Sequence, residues 1–125
     1  MTYKEVATML NGIGLPFAYY EFTEQTAKAP PFICFYYAGD NDMKADNANY
    51  QRIRQLVVEL YTDNKDFETE EIVEAALNAA GLVYARAESY IDTEQMYMVV
   101  YTTEIIITES TEETPEVPNT EDNNG

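Results

Sequence analysis

Near the amino end, Tyr3, Val6, Met9, Leu10 and Ile13 recur every three to four residues, the period of one helical face. Thr2 precedes this run with Glu5 three positions on, the spacing of a capping box, and Gly12 and Gly14 close it. A short helix over 3–11 is therefore predicted. Pro16 opens a strand over 17–22, and Pro31 enters a second over 32–38, whose sequence FICFYYA is apolar on both faces. Residues 39–49, GDNDMKADNAN, have the Gly, Asp and Asn content of a loop.

Alternation returns over 50–61, with Leu56, Val58 and Leu60 on one face and Gln55, Val57, Glu59 and Tyr61 on the other. After the turn TDNKD, a second helix is predicted over 68–80. Its expected apolar stripe is Ile72, Val73, Ala76, Leu77 and Ala80, with Glu70, Glu71 and Glu74 away from it and Gly81 as its stop. Strands over 83–91 and 96–108 follow, joined by DTEQ as a hairpin.

The resulting order, α-β-β-β-α-β-β, predicts an α+β fold. It is a single, mainly antiparallel sheet of four to five strands with two helices on one face. The uncovered face must then meet water or another protein. Tyr19, Tyr20, Tyr36, Tyr37, Tyr61, Tyr84, Tyr90, Tyr97 and Tyr101 fall on predicted strands, and Tyr19–Tyr20 and Tyr36–Tyr37 are adjacent pairs. Strand neighbours point to opposite faces, so one of each pair must leave the helix-covered core. Cross-strand packing accounts for about half of these tyrosines. The rest suit a protein contact, because tyrosine tolerates partial exposure and is enriched at interfaces.

Charge narrows the partners. The chain of 125 residues carries a net charge of −16. Residues 109–125 hold six acids, no base and one aliphatic residue, Val117, and are expected to form a disordered acidic tail beyond a single domain over 1–108. That domain keeps 17 acids against 7 scattered bases, which disfavours a nucleic-acid groove. No apolar run is long enough to span a bilayer, and the amino end does not read as a signal peptide. With one cysteine, a reducing compartment is expected.

Candidate chemistry is sparse. The chain has no histidine, so the usual triads and His-containing metal sites are missing, and Cys34 reads as a core filler inside an apolar strand. Asp40, Asp42 and Asp46 invite a calcium loop, but its sixth and twelfth positions would be Ala45 and Gln51 instead of Gly and Glu. No cofactor, metal or catalytic residue is expected. The candidate interface residues are Asp40, Asp42, Asp46, Asn47 and Tyr50 on the loop, with Tyr37, Tyr61, Tyr97 and Tyr101 on the strands.

From residue 46 onward the segments DNANY (46–50), VELYTDNKD (58–66), EEIVEAALNAAG (70–81) and AESYIDTEQMYMVVYTTEI (87–105) resemble a family of small proteins from siphophages and prophages of Gram-positive bacteria. They cover roughly half the chain. The resemblance implies a tail terminator, also called a tail-completion or tail-to-head joining protein. Such proteins typically close into a ring, often a hexamer, on the tail tube, and present a docking surface to the head connector. It implies a homo-oligomer in the virion, assembled in the host cytoplasm, with a sheet bearing two helices on one face. The loop over 40–50 is expected to project and join one contact. Another neck or tail-tube station remains open, as does a small prophage-encoded acidic module that binds a host protein.

Overall fold

The computed structural model describes residues 1–23, 26–40, 43–44 and 50–108. Helix α1 spans Tyr3–Asn11, and its capping box forms as read: Thr2 N donates to Glu5 Oε1 at 2.9 Å, and Glu5 N donates to Thr2 Oγ1 at 3.0 Å. Strands β1 (Phe17–Tyr19), β2 (Phe32–Asp40), the two-residue β3 (Met43–Lys44) and β4 (Tyr50–Thr62) follow. Helix α2 covers Phe67–Ala79, and β5 (Tyr84–Ile91) and β6 (Met96–Ile107) complete the order. Asp66 caps α2 by accepting from Thr69 N at 3.1 Å. Gly81, at φ +76°, closes the other end, with Leu82 N donating to Leu77 O at 3.0 Å and Gly81 N to Asn78 O at 2.9 Å. That pair of bonds is a Schellman motif, which needs a left-handed residue where Gly81 stands.

The sheet runs β1-β2-β4-β6-β5, with β3 paired beside the start of β4. Every pairing is antiparallel except β1 with β2, which is parallel in the register Phe17 to Ile33 and Tyr19 to Phe35. A hairpin between these two strands is thus replaced by a return connection. It begins at Tyr20, whose φ of +71° is rare for a bulky residue and whose N–H donates to Phe35 O at 2.8 Å. The loop expected over 39–49 is also shorter at its start, because β2 continues to Asp40.

Both helices lie on one face. Val6 and Leu10 of α1 and Val73 and Leu77 of α2 form one core with Ile33, Phe35, Leu56, Val58, Leu60, Val99 and Tyr101. Among the described residues no helix is long and apolar enough to cross a membrane. The acidic tail expected over 109–125 lies outside the described residues.

Candidate assembly surface

Register assigns every strand residue to a face. Leu56 pairs with Tyr37 and Thr103, Val58 with Phe35 and Tyr101, and Leu60 with Ile33 and Val99, so all these side chains point toward the helices. The intervening residues form the opposite face. It carries Phe32, Cys34 and Tyr36 from β2 and Val57, Glu59 and Tyr61 from β4. Met96, Met98 and Val100 from β6 extend it, with Ala87 and Ile91 from β5. Neither helix touches it, because both bury their apolar residues in the core on the other side.

This second face is apolar in its centre. Val57 and Cys34 are each only 5% exposed, although no helix covers them. Larger neighbours shield them: Tyr36 stacks on Tyr20 with ring centroids 4.9 Å apart, and Phe32 stacks on Tyr61 at 5.0 Å. Phe22 meets Phe32 edge-on at 5.4 Å, so one aromatic sheet runs from the β1 exit to β4. Glu59 sits within it as the acceptor of the Tyr61 hydroxyl at 2.8 Å. A contiguous apolar surface of this kind marks a contact site more often than it faces free solvent.

Cys34 lies on the floor of this face and is a poor nucleophile. Burial, reinforced by the nearby Glu59 and Glu21 carboxylates, pushes its thiol from 9.0 up to about 11. The smaller thiolate fraction, partly offset by the greater nucleophilicity of a more basic thiolate, leaves about a tenfold deficit before steric shielding is counted. Exchange of the Cys34 thiol with a disulfide reagent at pH 8, which forms a mixed disulfide and releases the reagent's thiolate, is expected to run at least tenfold slower in the native chain than in urea. Equal rates would show that the aromatic cover does not form.

The sequence-derived tyrosines divide between the faces. Tyr61 lies on the uncovered face. Tyr37 and Tyr97 lie instead on the helix side, Tyr37 edge-on to Tyr3 at 5.1 Å and Tyr97 against Tyr90 at 4.9 Å. Tyr101 is fully buried, with its hydroxyl donating to Glu74 Oε2 at 2.8 Å, so it is a core residue and not an interface residue. The outward tyrosine of the Tyr36–Tyr37 pair is Tyr36. Asp40 and Tyr50 fall within β2 and β4, whereas Asp42, Asp46 and Asn47 lie outside the described residues.

Helix α2 also departs from its expected stripe. Glu70 is buried beside Val73 and Leu77, while Ile72 is 52% exposed. The burial of a carboxylate is explained by two cations: Lys65 Nζ donates to Glu70 Oε2 at 2.6 Å, and Arg86 Nη2 to Glu70 Oε1 at 2.5 Å. Lys65 also reaches Glu88 Oε1 at 2.7 Å, and Arg86 Nε reaches Glu74 Oε2 at 3.3 Å. Two of the bases expected to be scattered thus converge on one buried carboxylate. The available signal was that Glu70, Val73 and Leu77 share helical spacing, which places the acid on the core side.

Glu88 is held below its ordinary value of 4.5, first by the hydrogen bond from Lys65 and then by the charges of Lys65 and Arg86. A depressed carboxylate contributes stability above its unfolded value and loses it as pH falls through the folded one. Wild type is therefore expected to melt above Glu88→Gln at pH 6, with the gap closing as pH drops below 4.5. A gap that persists at pH 2 would contradict the assignment.

Phe67 and Ile72 on α2 and Val83 just after it are 66%, 52% and 88% exposed. Phe67 and Ile72 belong to a helix packed on one side of the sheet, and the uncovered face is on the other. Among the described residues no three His, Cys, Asp or Glu side chains are placed to hold a metal ion.

No protein-family model matches this chain, and no curated protein matches it. Among solved structures, a chain of the virion of a native gene transfer agent particle is similar over 81% of this chain and 84% of its own length. The two are 14% identical with a TM-score of 0.50, a likeness of fold.

Proposed function

We propose that this chain is a structural subunit of a tailed-phage-type virion, without a catalytic step, and within it a tail terminator. Subunits close into a ring on the end of the tail tube and offer the other pole to the head connector. The observation that carries this reading is the apolar sheet face left open opposite the two helices. Two further points support it: a fold shared with a chain of a gene transfer agent virion, and the segments between 46 and 105 that resemble tail terminators.

The exposed apolar residues on α2 supply the matching surface. A head-to-tail contact joins two different patches, and when its rotation closes it yields a ring with no free patch for lateral growth. The part of the uncovered sheet face around Met98 and Val100 of one copy, against Phe67 and Ile72 of the next, is such a contact. Two identical poles cannot arise from it, so tube and connector can each have their own.

Mass measurement in solution together with electron microscopy of particles lacking the gene tests the reading. Single rings in vitro and overlong, headless tails in the mutant are expected. Long cylinders formed by the protein alone would point to a tube subunit, and normal tails in the mutant would overturn the terminator role.

A further inference from the structure

At one end of the uncovered face the aromatic sheet folds into an open cleft of about 550 Å³. Its apolar lining includes Phe22, Phe32, Cys34, Tyr61 and Met96, drawn from the β1–β2 connection and from β2, β4 and β6. Glu21, Asp63 and Glu94 also line it, against one cation, Lys28. Glu59 stands next to the floor, held by the Tyr61 hydroxyl. The cleft therefore joins an apolar floor to a negative surround. Such a combination selects a side chain that is apolar at its centre and flanked by positive charge.

We propose that this cleft binds a segment of a different protein in which an aliphatic or aromatic residue lies between basic residues. A second copy of this chain is a poor occupant. It carries 23 acids against 7 bases, and Lys65 and Arg86 are already committed to Glu70, Glu74 and Glu88. An acidic surface meeting an acidic rim is repelled, whereas a basic segment is drawn in and its central side chain removed from water. The inference stands apart from the ring reading, because it rests on the cleft's lining and charge and needs no contact between copies.

The test uses the full chain, labelled with ¹⁵N, titrated with a blocked peptide of alternating arginine and leucine. Saturable shifts are expected at amides of residues 32–36, 61–63 and 94–96. Replacing arginine by glutamate, or leucine by glycine, is expected to abolish them. Glu21→Gln with Asp63→Asn weakens binding about fivefold, as expected for two exposed charge pairs. Phe22→Ser, at the rim where folding is little affected, weakens it about tenfold. The charge-matched pair Glu71→Gln with Glu104→Gln, away from the cleft, leaves affinity within about twofold. Equal weakening by that control pair, shifts spread over the acidic surface, or binding of the glutamate peptide would each overturn the proposal. A chain that binds the peptide while remaining monomeric would keep this proposal and remove the ring.

Discussion

Met98→Glu with Val100→Glu is expected to give a folded chain that no longer assembles. Both side chains sit on the open face of β6, half-buried in the isolated subunit and facing away from the core. In the free subunit each glutamate can reach water, so the folding cost is of the order of 1 kcal/mol, set by strand preference. In the assembled state the same carboxylates would be buried without a cation, which costs several kcal/mol each and exceeds what the contact gains. Solution mass should fall to that of the monomer while the melting temperature drops by no more than about 5 °C.

A partner variant sharpens the same test. Phe67→Glu with Ile72→Glu breaks the α2 patch and leaves the sheet face intact. If the contact joins unlike patches, neither double variant assembles alone, yet a mixture of the two forms a dimer through the one sound patch on each. If the contact were sheet face on sheet face, the α2 variant would still pair with itself. Raising salt should tighten the wild-type assembly. Subunits with a net charge of −16 repel one another, and ions screen that repulsion without weakening apolar burial.

Local signals in the sequence proved direct where one residue governs one bond. Thr2 with Glu5 and Gly81 with Leu82 are short-range devices, and they set the amino end of α1 and the carboxyl end of α2. Strand parity was legible as well, but its sign was not. β2 and β6 are apolar at nearly every position, so alternation separates Tyr36 from Tyr37 without saying which faces the helices. That choice depends on how α1 and α2 cross back over the sheet, which no residue type encodes. For this reason Tyr101 read as outward although it is central to the core. The parallel β1–β2 pairing was hidden similarly, because a return connection of the same length can serve a hairpin or a crossover.

The buried ion cluster is the place where long-range contact overrides local pattern, and its removal carries the second large effect. Arg86→Met is expected to lower stability by about 2 kcal/mol, near 8 °C in melting temperature for a domain of this size. The loss is moderate because Arg86 is itself about a third exposed and Lys65 still holds the Glu70 carboxylate. Removing Lys65 as well takes away that second cation and leaves Glu70, with a side chain only 4% exposed, uncompensated. The double variant should lose about 4–5 kcal/mol, more than the two single losses combined, because each cation partly covers for the other. Adding Glu70→Leu to the double variant should then restore most of the stability, since the residue already lies beside Val73 and Leu77. Urea melts of wild type, the two single variants, the double and the triple check this order. A double variant no weaker than Arg86→Met, or a triple variant without recovery, would show that the carboxylate is not a buried charge dependent on its cations.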